Sequence, residues 1–255
     1  MTSRVGEPAI AISEEGPARK SCIRTLHKFE IKGVALLAYD DCESQAADRV
    51  AEELLADIYG LDAIPFQPGD VVIDIGAHVG MVSMYLAKRW PFLRIDAFEP
   101  YRPNYENCST NLHLNNVSNV RLFKQAVTVD GRSLILRCLP SNTGGATAVF
   151  ELPGAQADTP VDSTTLPDIL ERALAPGQRC RLLKIDCEGM EYEILSHSSA
   201  LDRVDFLAAE FHEGTLYSRD VHCDVNNGAA RTLFDFCARS FPPERMRVVF
   251  CPKCD

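Results

Sequence analysis

Residues 71–75, Val-Val-Ile-Asp-Ile, form a short β-branched run with Pro-Gly upstream and Gly immediately after. A run that is apolar on both faces suits a strand buried between two covering layers, the environment of a parallel sheet. An aspartate inside it, followed by Gly76-Ala77-His78-Val79-Gly80, marks a strand end where the chain turns sharply into a helix. The rest of the chain alternates in the same way. Residues 79–90 align Val79, Val82, Leu86 and Trp90 at helical spacing, 94–98 read as a strand, 101–114 as a helix and 120–127 as a strand. Further on, 166–174, 190–197 and 229–237 read as helices, and 181–185, 204–209 and 246–250 as strands. Strands separated by helices predict a doubly wound α/β fold, an open and mostly parallel sheet covered on both faces.

Two stretches depart from this alternation. Residues 29–40 read as an extended pair, and 44–59 as a helix capped by Ser44 with Val50, Leu54, Leu55 and Ile58 on one stripe. Residues 1–65 are therefore taken as an N-terminal strand/helix extension, its first twenty residues disordered, and 66–255 as the main domain. Residues 128–165 break the pattern: 134–139 is strand-like, whereas 140–160 is rich in Gly, Ala, Pro, Ser and Thr. A connection of that length suggests a functional loop, a lid carrying Asn142 and Gly144-Gly145 to the site.

Composition narrows the function. The chain has 255 residues, 46% hydrophobic and 24% charged, enough for one large core. Its net charge of −10, from 26 basic and 36 acidic residues, repels phosphate backbones. The scattered pairs Arg132/Arg137 and Arg179/Arg181 read as solvated, so no nucleic-acid partner is expected. No window is apolar enough for a membrane helix, and the N-terminus lacks the basic-then-apolar order of a secretory signal. A soluble, cytoplasmic protein is expected. Ten cysteines in such a chain read as reduced thiols. Cys251 and Cys254 offer only two of the four ligands of a structural zinc and are read as free, so no metal is expected.

In open α/β sheets ligands sit outside the carboxyl ends of the strands. There the first strand presents Asp74 and the turn Gly76, Ala77, His78 and Gly80. The second ends in Glu99-Pro100, where a carboxylate can accept both hydroxyl hydrogens of a ribose. The third ends in Gln125-Ala126, facing an adenine edge. His78 stands where a nicotinamide-binding fold places the glycine that admits a pyrophosphate, and its side chain would crowd a diphosphate. S-adenosylmethionine has no phosphate, and Asp74 with nearby backbone groups can meet its amino-acid arm. The fourth strand runs Leu183-Lys-Ile-Asp186-Cys-Glu188-Gly-Met-Glu191, a concentration of charge that is costly unless paired or used. The fifth ends in Glu210-Phe211-His212, with Glu210 and His212 on one side. Asp186, Glu188 and His212 are the candidate catalytic groups, His212 first as general base, with Glu210 and Asn142 on the substrate. The same Asp186, Glu210 and His212 could instead hold a divalent metal.

The segments Val72-Ile-Asp-Ile-Gly-Ala-His-Val-Gly80, Ala97-Phe-Glu-Pro100, Leu183-Lys-Ile-Asp-Cys-Glu-Gly189 and Glu210-Phe-His212 together resemble the FkbM-type methyltransferases. The resemblance covers roughly residues 68–215 and implies a seven-stranded S-adenosylmethionine-binding sheet. It further implies that Asp74, Gly76, Gly80 and Glu99 bind the cofactor, and that Asp186 and Glu188 lie at the active site. The implied reaction is methyl transfer to a small molecule, most often to a hydroxyl of a natural product or sugar. His78 departs from the pattern, which more often carries Asn. Residues 1–65 and 220–255 match no family segment and are expected to help set the acceptor. The rival readings are a nicotinamide-dependent oxidoreductase, disfavoured by His78, and a non-catalytic binding subunit, disfavoured by the intact acids at the strand ends. Acceptor and oligomeric state stay open.

Overall fold

The computed structural model describes residues 24–41, 44–139, 142–149, 154, 156–197, 200–213 and 229–251, with the main chain alone at 142 and 156–159. The chain opens with the antiparallel hairpin β1 (Arg24–Ile31) and β2 (Val34–Asp41), then α1 (Ala46–Ala56). The first βαβ half follows as β3 (Val71–Ile75), α2 (Met81–Arg89), β4 (Arg94–Phe98), α3 (Arg102–Leu114) and β5 (Val120–Phe123). Next come β6 (Ala126–Thr128), β7 (Leu134–Leu139), β8 (Asn142–Thr147), β9 (Gln156–Val161) and β10 (Ser163–Thr165). The second half is α4 (Leu166–Ala173), β11 (Cys180–Ile185), α5 (Glu191–Ser196), β12 (Val204–His212), α6 (Ala229–Cys237) and β13 (Met246–Cys251).

The central sheet has the order β13-β12-β11-β3-β4-β5, every pairing parallel. The doubly wound α/β fold is thus observed, with six strands in the main sheet among the described residues against the seven expected. Period-two alternation divides its core. Val71, Ile73 and Ile75 pack with α4, α5 and α6 on one face, while Val72 packs with α2 and the N-terminal elements on the other. Phe29, Ile31, Leu36, Leu54 and Tyr59 belong to that second cluster, so the N-terminal segment shares a core with α2. Covered on both sides, α2 is buried without interruption from Met81 to Ala87.

Asparagines fasten the hairpin to the main domain. Asn111 Oδ1 accepts from Tyr39 N at 2.7 Å and its Nδ2 donates to Tyr39 O at 3.0 Å. One turn on, Asn115 does the same to Leu37, at 3.0 and 2.6 Å. Spaced i,i+4 on α3, the two amides satisfy the free edge of β2 as a neighbouring strand would.

Three expectations are corrected. Residues 120–127 are two strands, because the partner β4 ends at Phe98 and Pro100 lies just beyond; β6 pairs with β10 instead. Residues 140–160 include β8 and β9, which flank β7 in a three-stranded antiparallel sheet rather than a structureless lid. On α1 the buried face is Ala46, Ala47, Ala51 and Leu54, while Leu55 is 47% exposed. Ser44 does cap the helix start, its Oγ accepting from Ala46 N at 3.2 Å, and Asp40 adds a second cap, its Oδ2 accepting from Ala47 N at 3.1 Å. No helix among the described residues is long and apolar enough to cross a membrane.

The crossing of β3 and β11 depends on Gly76. Its φ is +80°, and a Cβ there would lie 1.6 Å from the Asp186 carbonyl oxygen. Gly69 has φ +90° but no atom within 4 Å of such a Cβ. Gly76→Ala is expected to cost more than about 4 kcal/mol in urea unfolding, against about 1–2 kcal/mol for Gly69→Ala.

Candidate active site

The strand order reverses between β3 and β11, and a cavity opens outside their carboxyl ends. Lys184 lies buried beneath it. Only 2% exposed, it faces Asp74 across the register of β11 and β3. Its Nζ donates to Gly76 O at 3.0 Å and Asp186 Oδ2 at 3.3 Å, and lies 3.5 Å from Asp74 Oδ1. Burial opposes the ammonium charge, but the carboxylates of Asp186 and Asp74 outweigh it and raise its pKa. Asp74 Oδ2 accepts from Ser83 Oγ at 2.6 Å. Asp74 is fully buried and is not among the residues that line the cavity; it packs between Lys184 and Ser83. Ala77 and Gly80 are also absent from the walls. Gly80 instead admits α3, since a Cβ there would meet Cys108 Sγ at 2.7 Å.

Gly76, His78, Glu99, Pro100, Gln125 and Ala126 do line the cavity. Glu99 is 5% exposed; Oε1 accepts from Tyr101 N at 2.9 Å and Oε2 from His78 N at 2.8 Å. The left-handed φ of His78, +51°, aims that N–H at the carboxylate. Burial pushes the Glu99 pKa up to about 7. The His78 imidazole, its pKa lowered by burial, reaches β8 with Nε2 3.2 Å from Thr143 Oγ1. Asn104 joins this wall, Nδ2 donating to Thr143 O at 2.8 Å and buried Oδ1 without a partner. Asn104 was missed in the sequence, although the buried face of α3, Asn104, Asn107, Cys108 and Asn111, is a polar stripe at helical spacing that marks it. Gly144 and Ala146 of β8 also line the cavity, so the middle segment does face it. The side chain of Asn142 lies outside the described residues, as does Cys254.

The other end of the cavity gathers Asp186, Glu188, Glu210 and His212. His212 Nε2 stands 3.6 Å from Glu188 Oε1 and 3.8 Å from Asp186 Oδ1. Its orientation is set by Glu191, which is fully buried: Oε1 accepts from His212 N at 2.7 Å and stands 3.1 Å from Nδ1, while Oε2 accepts from Gly189 N at 2.8 Å. Burial disfavours the imidazolium, yet Glu191, Cys251 and Glu188 together raise its pKa well above the usual value. Asp186 is held ionised against the effect of burial by Lys184 and then His212. Burial lifts Glu188 to about 7. Glu210 Oε1 accepts from Tyr59 Oη at 2.5 Å and Oε2 from Cys251 Sγ at 3.2 Å. From α1, Arg49 and Glu53 complete the wall. Glu191 stood in the sequence motif without a role, and Tyr59, Glu53 and Arg49 lay in a segment that matched no pattern. Among the described residues two triplets bring possible metal-ligating atoms within 4.8 Å of one another, Asp186–Glu188–His212 and Glu210–His212–Cys251.

A carboxylate at the second strand end, an open turn after the first and acids around a strand switch point define a nucleoside-binding α/β site. Comparison with known proteins names the class more closely: the methyltransferase FkbM domain model matches residues 74–237. The chain belongs to this family, and S-adenosylmethionine is its cofactor. It is 28% identical over 152 residues to Methyltransferase 1 of Beauveria bassiana, covering 52% of this chain and 60% of that protein. It is 27% identical over 187 residues to Methyltransferase sdnD of Sordaria araneosa, covering 62% and 71%. To the 31-O-demethyl-FK506 methyltransferase FkbM of Streptomyces tacrolimicus it is 26% identical over 181 residues, covering 59% and 68%. The chain thus spans less than two thirds of the Beauveria protein.

The residues present suit that cofactor: a buried carboxylate for a ribose diol, and acids near a cationic sulfonium and ammonium. Removing the central cation tests the floor. Lys184→Met leaves Asp74 buried without its counter-charge and is expected to cost about 3–5 kcal/mol in chemical denaturation. Combining it with Asp74→Leu is expected to recover part of that loss.

Proposed function

We propose that the chain transfers a methyl group from S-adenosylmethionine to a hydroxyl of a small molecule, a natural product or sugar. The observation that carries this reading is the single cavity joining the Glu99–Gln125 end to the Asp186–Glu188–Glu210–His212 end. Glu99 and Asn104 hold the ribose, Gln125 and Ala126 border the adenine, and the Gly76–His78 turn supports the amino-acid arm. The bound cofactor supplies a methyl carbon already activated by sulfonium sulfur. The chain's own residues then orient the acceptor, exclude water and take up its proton. The similar Streptomyces protein, named for O-demethyl-FK506, supports an oxygen acceptor in a natural product.

His212 was the first choice of base, but a protonated imidazole has no lone pair to offer. It instead donates from Nε2, holding the acceptor oxygen or the neighbouring carboxylates. The proton passes to a carboxylate, Glu188 or Glu210. A metal in either ligand triplet would have to displace the His212 proton, so its affinity would rise with pH. Turnover is expected to survive dialysis against EDTA; a loss restored by one divalent ion would assign the triplets to a metal.

Thermal unfolding tests the cofactor. S-adenosylhomocysteine at about 100 times its Kd is expected to stabilise by about 2.7 kcal/mol, roughly 5–10 °C in Tm, with no shift from NAD or NADP. A shift with the nicotinamides alone would replace methyl transfer by oxidoreduction. Binding also has a proton signature. Hydroxyl donors favour the ionised form of Glu99, so its pKa falls from about 7 when the ribose arrives and a proton leaves. Calorimetry in buffers of different ionisation enthalpy is expected to show about half a proton released at pH 7. Affinity for S-adenosylhomocysteine therefore rises from pH 6 to pH 8, and Glu99→Gln abolishes the release.

A further inference from the structure

Tyr59 sits between two carboxyl groups. Its hydroxyl donates to Glu210 Oε1 at 2.5 Å and lies 3.3 Å from Glu53 Oε2. A phenol has one proton, so it cannot donate to both. With that proton on Glu210, the contact to Glu53 is favourable only if Glu53 carries a proton and donates it to the Tyr59 oxygen. The chain of groups then reads Glu53–H to Tyr59–H to Glu210. Tyr59 is 2% exposed and Glu210 8%, whereas the Glu53 side chain keeps 21% of its surface in solvent. A line of exchangeable protons thus runs from buried Glu210 to Glu53 on the α1 wall of the cavity, the most solvent-accessible of the three groups.

We propose, resting on the methyl-transfer reading above, that Glu210, Tyr59 and Glu53 form the exit path for the proton of the acceptor hydroxyl. As the acceptor oxygen bonds to the methyl carbon, the carbon–sulfur electron pair stays on sulfur and the hydroxyl proton passes to Glu210. Glu53 gives its own proton to solvent; Glu210 then returns a proton to the Tyr59 oxygen while the phenol's own proton passes to the now ionised Glu53. Glu53 is left protonated as it began, so each turnover yields a methyl ether, a neutral thioether and one proton. Among the cavity carboxylates this favours Glu210 as the first proton acceptor. Glu188 has His212 as its near neighbour and Asp186 is held by Lys184, and among the described residues neither carboxylate accepts from a side-chain hydroxyl as Glu210 does from Tyr59.

The charges around the path suit this role. Glu53 faces Arg49 on its own helix, Tyr59, Glu210 from β12 and Asp186 from the end of β11. Glu210 faces Tyr59, Cys251 from β13, Glu188 and Lys184. Burial, and next the charge of Glu210, push the Glu53 pKa up to about 7, where it loads and unloads a proton near neutrality. Tyr59 is itself pushed far above the usual phenol range by burial, so it passes protons without standing ionised.

The test begins on the free protein. In ¹³C-carboxyl NMR of glutamate-labelled chain, one resonance is expected to titrate near pH 7 and to vanish in Glu53→Gln. In Glu210→Gln its midpoint is expected to fall toward the ordinary carboxylate range, because a neighbouring negative charge has gone. Kinetics follow on any acceptor that wild type methylates. Tyr59→Phe keeps the ring and is expected to lower kcat about 10–100-fold with acceptor KM changed less than about threefold, within the range of a lost proton-transfer partner. Glu53→Gln, at the partly exposed α1 wall, is expected to lower kcat and abolish its rise through pH 7; it serves if Tyr59→Phe fails to fold. A Glu53 midpoint unmoved by Glu210→Gln, or wild-type kcat in both Tyr59→Phe and Glu53→Gln, would overturn the path. Wild type that binds no adenosyl compound and methylates nothing would overturn the methyl-transfer reading instead, whatever the NMR shows.

Discussion

One buried ammonium holds the catalytic face together. Lys184 is directed at Asp74, Asp186 and the carbonyl of Gly76, three groups from the two strands that flank the topological switch. Two carboxylates at the end of an open parallel sheet would repel each other in a low dielectric. The lysine between them keeps Asp186 ionised where it faces the cavity, while Asp74 accepts from Ser83 on its other side. Gly76 is the steric partner of this arrangement. Only a residue without Cβ lets the first turn pass under the Asp186 carbonyl, so the electrostatic floor and the cofactor turn are built by one close approach.

Above that floor the site divides by protonation. At one end a buried glutamate and a neutral histidine suit a ribose. At the other an imidazolium is surrounded by Asp186, Glu188 and Glu191, with Glu210 beside it. The difference lies in burial and partners rather than residue type, since His78 and His212 are the same side chain held in opposite charge states. Glu191, locked by two backbone N–H groups, is the reason His212 presents Nε2 to the cavity and stays charged.

The walls come from parts of the chain far apart in sequence. Helix α1 supplies Arg49 and Glu53, and β8 supplies Gly144 and Ala146. Asn111 and Asn115 clamp the hairpin that leads into α1, so a pair of amides on the first half of the sheet sets the position of the acceptor side. The N-terminal residues therefore do two things at once: they cover α2 and they close the cavity.

Local chemistry in the sequence was enough for the alternating strands and helices, for the turn at Gly76 and for the carboxylate at Glu99. It also sufficed for the cluster from Lys184 to Glu191, because period, glycine spacing and charge at strand ends are all properties of neighbours along the chain. What needed the tertiary structure were the partners. That Asp74 lies against Lys184 and Ser83, and that Glu191, Cys251 and Glu188 raise the pKa of His212, depend on groups brought together from different strands. The same holds for the contact of Tyr59 with Glu210, which lies 151 positions further along. Protonation and hydrogen-bond partnership are decided by distance and dielectric in the folded chain, and neither is written in the order of residues along any one strand.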